Sequence, residues 1–192
     1  MHQLIIANMQ HVINLSEEEQ DFITQIFKEK HAVKNDYFLR KGDVCKEVGF
    51  IINGLVRYFV RKDDGEEMIY DFGKEDNFIC NYESFLDHSP AQKNIQFIED
   101  TTWLAVSFND LQLFYKQVKQ GEKFGRIICE QIFVDALHKI TSLYTYTPEQ
   151  RYQQFLESYP SLQQRIPQYY IASFVGVQPP SLSRIRKRLA AS

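Results

Sequence analysis

Pro167-Gln-Tyr-Tyr-Ile-Ala-Ser-Phe-Val-Gly-Val-Gln-Pro-Pro-Ser-Leu-Ser-Arg-Ile-Arg-Lys-Arg-Leu189 decides how the chain is read. Pro167 stands where a helix starts, because its missing N–H is a donor that a first turn leaves unused anyway. Ile171 and Val175 are four residues apart and share one helical face. Ala172 is small where a second helix would cross closely. Gly176 sits where a tight turn needs a positive φ. Val177 plugs the turn, Gln178 takes the N-cap place and Pro179 opens the next helix. Leu182, Ile185 and Leu189, at i, i+3 and i+7, form that helix's buried stripe. Two helices joined by a short glycine turn follow from the pattern.

The second helix is basic on its other face, which carries Ser181, Ser183, Arg184, Arg186, Lys187 and Arg188. A helix about ten residues long, apolar on one side and basic on the other, can enter a DNA major groove. There its N-terminal residues meet base edges and its cations meet phosphates. The candidate contacts are Gln178, Ser181, Ser183, Arg184, Arg186, Lys187 and Arg188. Arg184 has the fork that suits guanine O6 and N7; Ser181, in the leading turn, suits a phosphate or a base. Cations also favour any helix C-terminus through the dipole, so the apolar template and turn glycine carry the argument, not the charge alone. The charge distribution agrees. From residue 148 onward Arg151, Arg165, Arg184, Arg186, Lys187 and Arg188 face only Glu149 and Glu157, a balance of +4, so the preceding residues carry −7 of the net −3. An acidic body with a phosphate-seeking end is expected.

Working outward, 192 residues with 44% apolar and 14% aromatic side chains suffice for one large domain or two small ones. No apolar run approaches the ~20 residues that span a bilayer. Met1-His2-Gln3-Leu4-Ile5-Ile6 lacks the charged start and long apolar stretch of a signal peptide, so a soluble cytoplasmic protein is expected. Cys45, Cys80 and Cys129 are scattered and odd in number, which argues against a disulfide framework and a CxxC zinc site. His2, His11, His31, His88 and His138 show no HExxH spacing. With no nucleophile elbow, phosphate loop or carboxylate pair at catalytic spacing, neither an enzyme nor a metal site is expected.

Ser16-Glu17-Glu18-Glu19 reads as a capping box opening a helix over about 16–29, with Phe22, Ile23, Ile26 and Phe27 at helical spacing. Short strands follow from about 31 to 108: 31–39 ending at Lys41-Gly42-Asp43, 48–52 ending at the hairpin signal Asn53-Gly54, then 55–60, a turn at Asp63-Asp64-Gly65, 67–72, 95–99 and 102–107. They indicate a small antiparallel barrel or roll. Asn109-Asp110 caps a helix to about Lys119, Gly121 breaks it, and a long helix of roughly 24 residues runs over about 122–145. Its apolar residues Phe124, Ile127, Ile128, Ile132, Val134, Leu137, Ile140, Leu143 and Tyr144 occupy too many sides for one small core, so it is expected to pack on a second subunit as well. Thr147-Pro148 restarts a helix over 148–158. The domain boundary falls at 146–148, giving a sensor domain over 1–146 that includes the long helix and a DNA-binding domain over 147–192. The fold class is α+β.

Roll, long helix and helix-turn-helix in this order resemble the Crp/Fnr superfamily of bacterial regulators. The resemblance rests on Lys41-Gly42-Asp43, Gly49-Phe-Ile-Ile-Asn-Gly54, Ile171-Ala-Ser-Phe-Val-Gly176 and Ser181-Leu-Ser-Arg-Ile-Arg-Lys-Arg188. It implies a cyclic-nucleotide-binding-like roll, a homodimer formed through the long helix, a C-terminal winged helix-turn-helix, and near-palindromic double-stranded DNA as partner, with RNA polymerase a further candidate. The sequence also departs from the family. Cyclic-nucleotide-binding members carry a Gly-Glu pair and then an Arg-Ser/Thr-Ala group. Here the stretch reads Ile79-Cys-Asn-Tyr-Glu-Ser84, then Ser89-Pro-Ala-Gln-Lys-Asn94, and no Arg occurs between 62 and 125. Lys93 offers a charge but not a bidentate fork. Cyclic AMP is therefore not expected to bind. Any ligand would meet Asn81, Tyr82, Glu83, Ser84, Gln92 and Lys93, and no cofactor is expected beyond an unidentified small-molecule effector. Clustered N-terminal iron–sulfur cysteines are lacking, and Pro180 replaces the acidic residue that many members direct at cytosine. The competing reading is a small-molecule sensing module whose C-terminal helices contact proteins instead of DNA.

Overall fold

The computed structural model describes residues 1–190. In chain order the elements are α1 (His2–Gln10), α2 (Glu17–Ile26), β1 (Lys28–Ala32), β2 (Tyr37–Leu39), β3 (Glu47–Asn53), β4 (Val56–Arg61), β5 (Glu67–Gly73), β6 (Phe78–Ile79), the short α3 (Tyr82–Asp87), β7 (Asn94–Phe97), β8 (Thr101–Ser107), α4 (Phe108–Gln117), α5 (Gly121–Thr145) and α6 (Pro148–Ser158). A 3-10 turn at Leu162–Gln164, α7 (Gln168–Val175) and α8 (Pro179–Ala190) complete them. None of these helices is long and apolar enough to cross a membrane.

The strands form two four-stranded sheets, β1-β8-β3-β6 and β2-β7-β4-β5. The expected antiparallel roll is present, with Gly49 of β3 opposite both Ala105 and Ile79. Asn53-Gly54 is not the hairpin that its sequence suggests. β3 and β4 lie in different sheets, so Gly54 turns a corner between them. Its φ is 113°, and a Cβ there would lie 2.3 Å from Thr101 Oγ1. Its N–H donates to Glu75 Oε1 at 3.0 Å. Asp63-Asp64-Gly65, by contrast, is a true hairpin turn between neighbouring strands β4 and β5, with Gly65 at φ 86°.

The capping box holds at atomic detail. Ser16 Oγ accepts from Glu19 N–H at 3.2 Å, and Glu19 accepts from Ser16 N–H at 2.9 Å. α2 stops at Ile26, short of the expected 29, because Lys28–Ala32 is taken up by pairing with β8. Ser107, not Asn109, caps α4, accepting from Asp110 N–H at 3.2 Å. Gly121 is the first residue of α5 and not a break ahead of it.

The chain separates into two compact units, 1–58 with 72–131, and 59–71 with 132 onward. This division falls inside α5, and the second unit also takes the tip of the β4–β5 hairpin. In the first unit, one core gathers Ile5, Met9, Ile23, Phe50, Leu104 and Phe114. Another lies inside the roll around Leu39, Ile51, Ile79, Phe85, Phe97 and Trp103. The second unit centres on Phe155, whose ring lies 5.6 Å from those of Tyr159 and Phe174. Its hairpin tip is tied in by side chains. Asp71 accepts from Tyr159 Oη at 2.5 Å and pairs with Lys139 Nζ at 2.5 Å. Ser173 Oγ accepts from Ile69 N–H and donates to Glu67 O, both at 3.0 Å. Beyond α5 the described residues are helical or irregular and contain no strand, so the expected wing is not part of the described fold.

Candidate nucleic-acid interface

α7, its turn and α8 are built as the residue pattern requires. Ile171, Ala172, Val175, Leu182 and Ile185 are buried; Leu189 is half-buried. Pro167 is the N-cap, one place earlier than expected, and Gly176 adopts φ 77°, ψ 38°. The left-handed glycine lets Gly176 N–H reach Ser173 O at 3.1 Å and Val177 N–H reach Ala172 O at 2.9 Å, so the last carbonyls of α7 are satisfied. Gln178 O accepts from Ser181 and Leu182 N–H at 2.9 and 3.2 Å, which puts Gln178 at the N-cap place of α8.

Arg151, one of the basic groups in this part of the chain, is a structural clamp. Its Nε donates to Val175 O at 2.8 Å and its Nη1 to Tyr146 O at 2.7 Å. One guanidinium thus holds the end of α7 against the end of α5, both within the second unit. Of the cations of α8 itself, Arg184, Lys187 and Arg188 face outward. Gln178, Ser183, Arg184, Lys187 and Arg188 are exposed, while Ser181 and Arg186 are half-buried. Arg184 Nη2 donates to Ser181 Oγ at 3.1 Å, which orients the guanidinium along the leading turn. Arg186 Nη1 donates to Gln168 Oε1 at 2.5 Å, and Arg188 pairs with Glu149 at 3.1 Å. Ser181, Arg184 and Arg188 line one wall of an open cleft of about 410 Å³, and Thr147, Pro148 and Glu149 line the other. Thr147 caps α6 as expected, accepting from Gln150 N–H at 3.3 Å, with Pro148 at N1. The cleft therefore joins a basic helix face to a helix N-terminus, and both attract phosphate.

The residues singled out in the roll surround α3 but are mostly engaged with one another. Asn81 is buried and caps α3, accepting from Ser84 N–H at 3.3 Å. Buried Ser84 accepts from Cys45 N–H at 2.9 Å and donates to Ser89 O at 2.6 Å. Lys93 Nζ lies 4.0 Å from Glu83, so the charge that could meet an anion faces a carboxylate. Tyr82, Glu83 and Gln92 are exposed. The buried cation of the roll is Arg57 of β4, 4% exposed, whose Nε and Nη2 donate to Gln96 Oε1 at 2.9 and 2.6 Å. Its signal in the sequence is an arginine inside the apolar strand Val56-Arg-Tyr-Phe-Val60, outside the stretch that matches the cassette. Cys45 and Cys80, scattered in sequence, meet with their sulfurs 3.7 Å apart as free thiols.

Residues 29–118 match the family model of the cyclic nucleotide-binding domain. The whole-chain fold is similar to that of the catabolite activator protein of Thermus thermophilus, at 18% identity over 96% of this chain and 87% of that one (TM-score 0.60). It is similar to the c-di-GMP responsive global regulator CLP of Xanthomonas campestris, at 15% identity over 92% of each chain (TM-score 0.69). A chain solved as a transcriptional regulator of the Crp/Fnr family from Eubacterium rectale matches at 14% identity over 92% of this chain and 84% of that one (TM-score 0.70). No curated protein matches the chain. This chain has the fold of the Crp/Fnr regulators, a cyclic-nucleotide-binding-like roll followed by a long helix and a C-terminal helix-turn-helix.

Proposed function

We propose that this protein is a dimeric, sequence-specific DNA-binding transcription regulator. The observation that carries the reading is α8: Leu182 and Ile185 are sunk in its own unit while Ser183, Arg184, Lys187 and Arg188 point outward from one helix. Arg184 is the base reader. Arg186, Lys187 and Arg188 hold phosphates, and each such contact steepens the fall of affinity with salt. Selection of bound DNA from a random pool, followed by mobility-shift titration across salt, tests this. A recovered half-site bound tightly at low salt supports the reading. Recovery of no preferred sequence, with Arg184→Ala leaving all binding unchanged, defeats it and favours a module that works through protein contacts.

The dimer reading rests on the second half of α5. Ile132, Phe133, Val134, Leu137, Ile140, Leu143 and Tyr144 are all between 43% and 86% exposed. Phe133, Leu137, Ile140 and Tyr144 recur at alternate spacings of four and three, the seam of a coiled coil. A second copy of the same helix, related by a two-fold axis, matches that seam.

The effector domain is proposed not to take cyclic AMP, because the cassette residues are replaced and the polar groups of the α3 segment are already bonded internally. Any effector is an unidentified small molecule other than cyclic AMP, and no cofactor is proposed. Calorimetry with cyclic AMP, cyclic GMP and c-di-GMP is expected to show no heat of binding; micromolar affinity for cyclic AMP or cyclic GMP overturns the proposal.

A further inference from the structure

The two sulfurs that meet in the roll have a chemistry that DNA binding does not use. Cys45 lies just ahead of β3 and Cys80 just after β6. These strands pair antiparallel through Gly49 and Ile79, so the ladder holds both residues at the same end. Cys45 is pinned further by its N–H on Ser84 Oγ. The 3.7 Å between the sulfurs must shorten to about 2.05 Å to make a disulfide, a movement of less than two ångströms. Cys45 is 2% exposed and Cys80 half-buried, so only a small reagent entering past Cys80 reaches both.

The pair is also polarised. The hydrogen-bonded contact with Cys80 draws the Cys45 thiol down to about 7 against the opposing effect of burial, with a backbone hydrogen bond at Asn81 helping. The same contact, together with burial, drives Cys80 upward. The lowered Cys45 thiol favours Cys45 as the attacking sulfur and leaves Cys80 to resolve. Cys129 serves as an internal comparison. Its Sγ lies 3.5 Å from Tyr82 Oη, and no second sulfur lies beside it among the described contacts.

We propose that Cys45 and Cys80 form a reversible dithiol–disulfide site that takes a small hydroperoxide as its oxidant. The Cys45 thiolate attacks the distal oxygen of the hydroperoxide. The S–O bond forms, the O–O bond breaks, and the leaving alkoxide or hydroxide takes a proton to depart as alcohol or water. The Cys80 thiol then attacks the sulfenic sulfur. The S–S bond forms, the S–O bond breaks, and the hydroxyl leaves as water with the Cys80 proton. Two thiols and one hydroperoxide give one disulfide, one alcohol or water, and one further water; a dithiol reductant reverses the change. The site stands whether or not the chain binds DNA.

The test uses the full chain, titrated with hydrogen peroxide under anaerobic conditions, alkylated at intervals and mapped as non-reduced peptides. The expected result is loss of two thiols per peroxide, a peptide pair linked through Cys45 and Cys80, and recovery of both thiols with dithiothreitol. Formation of the Cys45–Cys80 link should outpace oxidation of Cys129 by about tenfold, because a second sulfur stands 3.7 Å away to resolve the sulfenic acid. In Cys80→Ser the sulfenic acid on Cys45 should persist and be trapped by dimedone. The unsubstituted chain decides the matter even if that variant misfolds. Parallel oxidation of all three cysteines, a link to Cys129, or a Cys45 that stays alkylatable after peroxide treatment overturns the proposal.

Discussion

Arg184 and Lys187 stand less than one turn apart on α8, yet they are expected to fail differently when removed. Arg184→Ala should lose about 1–3 kcal/mol on the preferred site and relax the choice of base at one position, as loss of a bidentate contact does. Lys187→Ala should weaken binding to all sequences alike and lower the salt slope by about one. Titrating both variants against matched and scrambled duplexes separates the two outcomes. Glu19 gives a prediction in pH. Backbone N–H groups of Ser16 and Lys119 hold its carboxylate below the usual 4.5. A lowered folded value means stability present above the ordinary value and lost as pH falls through the folded one. Glu19→Gln keeps an acceptor oxygen but not the charge, so thermal midpoints of the variant should fall less steeply below pH 4.5. Single-residue chemistry was only partly legible in the sequence. The outward cations of α8 followed from periodicity, whereas the inward turn of Arg151 and the meeting of Cys45 with Cys80 depend on partners 24 and 35 residues away.

Among the elements, those with a local cause were legible. Ser16, Thr147 and Gly176 mark their helix ends because capping and positive φ are decided within a few residues. α1 was missed because Leu4-Ile5-Ile6 is a consecutive apolar run without helical spacing, and only packing in the first unit makes it a helix. The Asn53-Gly54 corner was misread for the same kind of reason, since a turn signal does not say which sheet the next strand joins. The α7–α8 turn should be sensitive to its backbone. Gly176→Val forces a β-branched residue to φ 77° and should cost about 1–2 kcal/mol or more, while Gly176→Asn should cost less. Ser173→Ala leaves Ile69 N–H and Glu67 O without their shared hydroxyl. A loss of roughly 1–3 kcal/mol is expected for the Ile69 N–H that loses its acceptor. Urea unfolding followed by helix ellipticity measures all three.

For the whole molecule, the order of roll, long helix and helix-turn-helix was readable because each changes the period of its apolar residues. The pairing of β4–β5 tip residues with the C-terminal unit was not, because it joins residues more than a hundred positions apart. Phe133→Glu combined with Leu137→Glu should convert the protein to a monomer by sedimentation at micromolar concentration and weaken operator binding by tenfold or more, an effect on the order of 1.4 kcal/mol. A monomeric unsubstituted chain in the same run would remove the dimer. The apolar second half of α5 has a consequence for dosage. If two copies must close over that seam before either helix-turn-helix can grip a paired site, then at concentrations below the dimer constant the bound fraction rises with the square of chain concentration. Doubling expression in that range would raise promoter occupancy about fourfold, so the gene controlled by such a site would respond to the amount of its regulator with a threshold and not in proportion.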